Sequence, residues 1–315
     1  MTARLPVTLI SGYLGAGKTT LVNALLRGAD GRRLAVLVND FGELPIDADL
    51  IEARDGNLIS ISGGCVCCSF GSDLVAAIME LRAGGRPIDH LLIETSGVAL
   101  PATIAQSLRL IPDLDLNGIV GLADAEIVRE RAADRYMSDT VLAQLAASDI
   151  IVLNKIDLAS PEQLAATRSW LNEVAPRARV LPAQNAGVPP ELILARQGER
   201  QTGRFFASGH DTTSHDTTRL ATVNFEITGN GDPAALARAL AEPHLRLLRA
   251  KGLVRDAAGA LTAIHVMGLR ASVAPAPATA SGPGRLVCIG LADQLDVEAI
   301  RAAISTCAPF SAKTV

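Results

Sequence analysis

Short runs of consecutive apolar residues recur along the first part of the chain, separated by stretches with helical spacing. The first run, Leu5-Pro6-Val7-Thr8-Leu9-Ile10, reads as a buried strand. Others lie at Leu34 to Val38, Leu91 to Ile93, Gly118 to Leu122, Ile150 to Leu153 and Arg179 to Leu181. Between them, Leu21 to Leu26 predicts a helix ending near Gly28, and Ser72 or Asp73 opens another that runs to about Arg82. Ser160-Pro161-Glu162 is an N-cap with Pro in the first turn, leading into Gln163 to Val174. Strands alternating with helices predict an α/β fold, a doubly wound and mostly parallel sheet covered on both faces.

The pattern then changes. From Gln197 to Thr218 the chain is polar and rich in Gly, Ser and Thr, with His-Asp-Thr-Thr occurring at His210 and again at His215. The expected organisation is a first domain over 1–205, a linker over 206–218 and a second domain over 219–315. Past the linker the spacing predicts a strand over Leu220 to Ile227, a helix from Asp232 or Pro233 to Ala250, and a strand near Gly252 to Arg255. A strand across Leu261 to Val273, a loop from Pro275 to Gly284, a strand over Leu286 to Ile289 and a helix over Val297 to Thr306 complete a smaller C-terminal α+β sheet domain.

Composition narrows the function classes. The chain has 315 residues, enough for two domains, and 49% hydrophobic against 20% charged residues is the balance of a globular protein. A net charge of -4 gives no basic footprint for nucleic acid, and 3% aromatics leave little surface for stacking bases. No apolar run approaches the ~20 residues of a membrane span, and Met1 to Pro6 lacks a signal-peptide core. The expectation is a cytoplasmic protein with reduced thiols, without nucleic-acid or membrane partners. Of five cysteines, Cys65, Cys67 and Cys68 are clustered, which favours metal or redox chemistry over a disulfide framework.

Gly12-Tyr13-Leu14-Gly15-Ala16-Gly17-Lys18-Thr19-Thr20 sits between the first strand and the first helix, in the GxxxxGK-Thr pattern of a phosphate-binding loop. Its glycines let backbone N–H groups turn toward phosphate oxygens, and the helix start adds positive potential. Gly12, Gly15, Ala16, Gly17, Lys18, Thr19 and Thr20 are therefore the candidate nucleotide-binding residues. Lys18 would reach the terminal phosphates and the Thr19 hydroxyl would take a place on Mg²⁺. Leu91-Leu92-Ile93-Glu94 brings an acid to a strand's C-terminal end, where the carboxylate on the Mg²⁺ side belongs, and Gly97 follows in a position to offer its N–H to a γ-phosphate.

Ile150 to Leu153 runs into Asn154-Lys155-Ile156-Asp157. A carboxylate at Asp157 matches guanine N1–H and the 2-amino group, a face adenine lacks, so a buried acid there would favour GTP over ATP. Asn154 can bond the purine edge, and the Lys155 stem can pack over the ring. Ser62-Gly63-Gly64-Cys65-Val66-Cys67-Cys68 precedes the helix opened near Ser72, a setting that lowers thiol pKa values. Three soft donors suit Zn²⁺, Co²⁺ or Cu⁺ better than Mg²⁺; small buried hydrophobes and a redox pair are the alternatives. Cys288 and Cys307 are isolated and read as structural.

Together GYLGAGKTT, VNDFGELPIDADLI, GGCVCC, LLIETSG, QLAASDIIVLNKIDL and LRAKGLV resemble the CobW-like metal-handling GTPases, kin of the urease and hydrogenase maturation GTPases. The resemblance spans nearly the whole chain. It implies a slow GTPase that uses GTP and Mg²⁺ and holds or delivers Zn²⁺ or Co²⁺ at Cys65, Cys67 and Cys68 for a metalloprotein client. It also implies a switch loop over Asn39 to Asp47, with Glu43 as an added metal ligand and Asp47 placing Mg²⁺ or the attacking water. Asp40, where the family usually has Glu, and Pro45 depart from the pattern. The competing expectation is a nucleotide-gated activator of a metalloenzyme such as a nitrile hydratase, its metal only structural. A small-molecule kinase conflicts with Asn154-Lys155-x-Asp157.

Overall fold

The computed structural model describes residues 4–29, 31–38, 58–60, 87–194, 220–276, 280–307 and 310–314, with Leu74, Ala76, Ile78, Met79 and Leu81. They fall into two compact units, one within Ala3–Leu194 and the other within Ala195–Val315. No helix among the described residues is long and apolar enough to cross a membrane.

In the first unit, the described residues form a sheet of seven strands, all paired in parallel. These are β1 (Leu5–Gly12), β2 (Leu34–Val38), β3 (Leu58–Ser60), β4 (His90–Glu94), β5 (Leu114–Asp124), β6 (Ile150–Asn154) and β7 (Arg179–Pro182), in the order β3-β2-β4-β1-β5-β6-β7. Every residue of β2, β4 and β6 is buried, as uninterrupted apolar runs require when both faces are covered. The helices are α1 (Lys18–Arg27), α2 (Pro101–Arg109), α3 (Val128–Ala133), α4 (Ser138–Ala147), α5 (Pro161–Val174) and α6 (Pro190–Leu194).

One apolar layer gathers Val7, Leu9, Leu37 and Ile93 with Ile104 and Leu108 of α2. Leu74, Ile78 and Leu81, helical and buried, join it; both predicted ends of that helix lie outside the described residues. The other layer packs Ile151 and Leu153 on Val141 and Leu145 of α4 and Leu171 of α5. The start of α5 is a full capping box: the Ser160 hydroxyl accepts from Gln163 N–H, and the Gln163 side chain accepts from Ser160 N–H. Because β1 lies between β4 and β5, chain direction across the sheet reverses beside it. Crevices at such switch points, at the C-terminal strand ends, hold ligands in this architecture.

In the second unit the described residues form a sheet that is antiparallel except for one short parallel pair, with helices on one face. Its strands are β8 (Leu220–Thr228), β9 (Asn230–Gly231), β10 (Arg249–Asp256), β11 (Leu261–Met267), β12 (Arg270–Pro275), β13 (Gly284–Leu291) and β14 (Ser311–Thr314), and its helices α7 (Pro233–Leu240) and α8 (Val297–Thr306). The order is β12-β11-β10-β13-β8-β14, with β9 parallel on β10. Two expectations need correction. The helix predicted to run to Ala250 stops at Leu240: Pro243 cannot donate to a helical ladder, a short 3₁₀ turn follows at Pro243–Leu245, and Arg246 turns with φ 50°. The single strand predicted across Leu261 to Val273 is a hairpin, β11–β12, folded at Gly268 with φ 57°. Val223, Phe225, Ala250, Val254, Ile264, Leu286 and Cys288 form its core with Leu236, Leu240, Ile300 and Ile304 of the helices. Burial pushes the Cys288 thiol far above its ordinary pKa, which fits the structural role expected of it.

Candidate functional site

The motif residues of the first unit converge at the C-terminal ends of β1, β4, β5 and β6. β1 delivers the chain into the loop Gly12 to Thr20. Gly12, Gly15 and Gly17 take φ of 138°, 76° and 105°, the range in which successive N–H groups can face inward. Gly17 has a second reason to lack a side chain, because a Cβ there would lie 2.5 Å from Asn154 Nδ2. Lys18 opens α1 and is only 7% exposed. Its ammonium donates to the carbonyls of Gly12 at 3.0 Å and Tyr13 at 3.4 Å, which bends it back along the loop.

Thr19 and Glu94 meet across β1 and β4. The Thr19 hydroxyl donates to Glu94 Oε1 at 2.9 Å, and Glu94 is 1% exposed. This puts two hard oxygen donors side by side at the start of α1. Thr95 N–H donates to Ile10 O, and Ala99 N–H closes a turn on Ser96 O, so the segment bearing Gly97 begins anchored to β1.

On the other side of β1, Asn154 ends β6 and is 2% exposed. Its Nδ2 donates to Ala16 O at 2.9 Å, and its Oδ1 accepts from Ala186 N–H at 2.8 Å. Asn154 thus ties the phosphate loop to the loop after β7, which adds a fastening task to the expected purine contact; its second amide hydrogen remains for a base acceptor. Asn154→Ala would strand Ala16 O and Ala186 N–H, both buried. The expected cost is about 2–4 kcal/mol, measured by chemical denaturation without nucleotide.

Lys155 follows with φ 60°, an uncommon conformation for a side-chain-bearing residue, and its ammonium pairs with Asp124 Oδ2 at 2.7 Å. The ion pair fixes the head of the side chain expected to lie over the ring. Asp157 sits exposed on the next turn, which corrects the expectation of a buried acid: in this structure its carboxylate faces solvent.

Three contributions carried no sequence signal strong enough to single them out. Asp124 ends β5 as Glu94 ends β4, and the same strand-end logic could have found it. Gln144 of α4 donates to the backbone carbonyls of Gly97 and Ala99. The loop after β7 turns through Asn185 and Ala186, with φ 51° and 52°, and offers backbone groups rather than side-chain chemistry. Asp40, Glu43, Pro45, Asp47, Cys65, Cys67, Cys68, His210 and His215 lie outside the described residues. Of the remaining histidines, His90 is buried against the Thr8 hydroxyl at 2.9 Å. His265 is buried too, and burial with nearby Lys251 and Arg249 holds its pKa well below the ordinary imidazole value.

Residues 6–182, more than half of the chain, match the nucleotide-binding domain of the CobW/HypB/UreG family, and residues 220–308 match the C-terminal domain of the cobalamin synthesis protein CobW. The chain belongs to the CobW/HypB/UreG family. This CobW/HypB/UreG protein is a GTPase, and residues 6–182, which hold the converging loop, acid and Asn-Lys-x-Asp strand end, are its nucleotide-binding domain. It is 29% identical to the zinc chaperone CobW of a Sinorhizobium species, over 96% of this chain and 97% of that protein. It is 35% identical to the zinc chaperone YjiA of Escherichia coli K12, over 54% of this chain and 55% of that one. Among solved structures, the Zn(II)-bound YjiA GTPase from E. coli is similar at 22% identity and a TM-score of 0.45, covering 98% of this chain and 99% of that one.

Proposed function

We propose that this GTPase is a cytoplasmic zinc chaperone that couples GTP to the holding and release of Zn²⁺ for a metalloprotein client. The observation that carries the reading is the match along almost the whole of both chains to the Sinorhizobium zinc chaperone. The Cys65-Val66-Cys67-Cys68 cluster supplies the soft donors such cargo needs. Co²⁺ is the other ion this donor set would take.

In this reading the phosphate loop binds the triphosphate through its N–H groups, and Lys18 neutralises charge on the terminal phosphates. Gly97 N–H meets the γ-phosphate. Thr19 and Glu94 fit Mg²⁺, being a hydroxyl and a carboxylate 2.9 Å apart beside the phosphate cradle, the hard-oxygen set that ion prefers. When bound, Mg²⁺ neutralises charge on the β- and γ-phosphate oxygens. Asp157 and Asn154 select guanine, Asp47 orients the attacking water, and Cys65, Cys67, Cys68 and Glu43 hold the zinc. GTP orders the segment Asn39 to Asp47 so that Glu43 completes the thiolate site, and hydrolysis releases it.

The test is coupling. Zn²⁺ competition against a chelator, in the nucleotide-free, GDP and Mg²⁺·GTP-analogue forms, should give tighter zinc with the analogue by roughly 5–150-fold. Linkage requires zinc to tighten the analogue by the same factor. Cys65→Ser, Cys67→Ser or Cys68→Ser should weaken zinc strongly, since a protonated hydroxyl replaces a thiolate. Equal zinc affinity in all three forms would make the metal structural and leave an activator acting through contacts alone.

A further inference from the structure

We propose that Gln144 is a positioning residue that locks the Gly97 turn for reading the γ-phosphate, and so sets the preference for GTP over GDP. Gln144 lies on α4 and is 2% exposed. Its Nε2 donates to Gly97 O at 3.1 Å and to Ala99 O at 3.0 Å. An amide NH₂ has two hydrogens, and here two carbonyls of one turn receive them.

Among the described residues, backbone hydrogen bonds hold the turn where it starts, by Thr95 N–H on Ile10 O, and close it on itself, by Ala99 N–H on Ser96 O. Gln144 supplies the tether at its far end. The turn also lies against the phosphate loop: a Cβ on Gly97 would sit 2.5 Å from Leu14 Cδ2 and 2.9 Å from Leu14 N. Gln144 and the loop residues Gly12, Tyr13 and Leu14 line one small cavity behind the loop. Displacement of the turn is therefore resisted both by contact with Leu14 and by the amide of Gln144.

The backbone that carries Gln144 is itself tied down at the end of α4. Ser148 Oγ donates to Gln144 O at 2.8 Å, and the next residue, Asp149, accepts from Ile119 N–H at 2.8 Å on β5. One residue further, β6 begins and runs to Asn154. The α4–β6 connection is thus a rigid mount carrying the γ-phosphate turn at one end and the base-recognising Asn154 at the other. A nucleoside diphosphate needs only the second of these, whereas a triphosphate engages both.

The proposal rests on the reading that Gly97 N–H meets the γ-phosphate. The experiment uses the full chain with Gln144→Met, which keeps length and volume but loses both donors. Gln144→Glu keeps the shape and sets a carboxylate against two carbonyls. GDP affinity, affinity for a non-hydrolysable GTP analogue, kcat, KM and thermal midpoint are measured for each. Expected is an unchanged GDP affinity with the analogue weakened about tenfold, the scale of two neutral hydrogen bonds, and a fall in kcat that is greater for Gln144→Glu. Equal weakening of GDP and analogue, or an unchanged ratio in both variants, overturns the role of Gln144. Gly97→Ala separates the two ideas. If it alters the GTP-to-GDP ratio while the Gln144 variants do not, only Gln144 is misassigned; if none of the three alters it, the γ-phosphate reading of the turn falls as well.

Discussion

Lys18→Ala is expected to weaken GTP binding by about 10²-fold or more while the protein without nucleotide keeps its fold. Charge-assisted hydrogen bonds contribute about 1.5–3 kcal/mol each, and Lys18 is placed to make more than one to the terminal phosphates. The preorganisation is visible: the ammonium already lies back along the loop on the carbonyls of Gly12 and Tyr13, 7% exposed. A triphosphate would meet a cation whose side-chain entropy is largely spent. Removing the side chain leaves α1 anchored by Leu21, Val22 and Leu25 in the core, so the helix should persist. Titration with a fluorescent GTP analogue gives the affinity. Thermal denaturation with and without nucleotide gives the control: the unliganded midpoint holds and the nucleotide-induced rise vanishes. Wild-type affinity in the variant would remove the phosphate loop from its assigned role.

Where chain chemistry is local, the sequence was legible. The buried strands stood out as apolar runs and α5 through its Ser160-Pro161 cap, and α8 over Val297 to Thr306 matches the span expected of it. Glu94 and Asn154 were found because each ends a buried strand, and Lys155 because it continues the Asn154-Lys155-x-Asp157 pattern. What escaped was set by contacts distant in sequence or by backbone alone. Helices α2 to α4 lie between Gly97 and Ile150 without a capping side chain to mark them. The helix over-extended beyond Leu240 shows how a Pro in a polar-apolar mixture can be read past. Gln144 looks like an ordinary helical glutamine until Gly97 and Ala99 are brought to it from 47 and 45 residues away. Ala186 has no side-chain chemistry to advertise, and it matters because its N–H completes Asn154. The exposed Asp157 shows a different limit, since a motif names the group that meets the base without saying how deeply it sits beforehand.

Asp157→Asn is expected to exchange GTP for xanthosine triphosphate. A carboxylate accepts from guanine N1–H and the 2-amino group, whereas an Asn amide replaces one acceptor with a donor and suits the 2-oxo group of xanthine. The turn that carries Asp157 is held by backbone: Ile156 N–H donates to Ala183 O at 3.3 Å and Leu158 N–H to Lys155 O at 3.0 Å, with Lys155 at φ 60°. None of those bonds uses the Asp157 side chain, and an exposed substitution of this kind costs no more than about 0.5 kcal/mol of stability. Base preference should therefore invert in a protein of unchanged thermal midpoint. Sites that fully bury such a pair discriminate by about 10⁴–10⁵. With Asp157 open to solvent before the base arrives, a loss of about 10²–10³-fold in GTP affinity is the expected scale. Competition among GTP, xanthosine triphosphate and ATP for one labelled nucleotide reads it directly. The xanthine nucleotide should gain as the guanine one loses, with ATP weak against both proteins. GTP bound as tightly as by the wild type would mean that guanine is chosen elsewhere, with the backbone of the loop around Ala186 the next group to test.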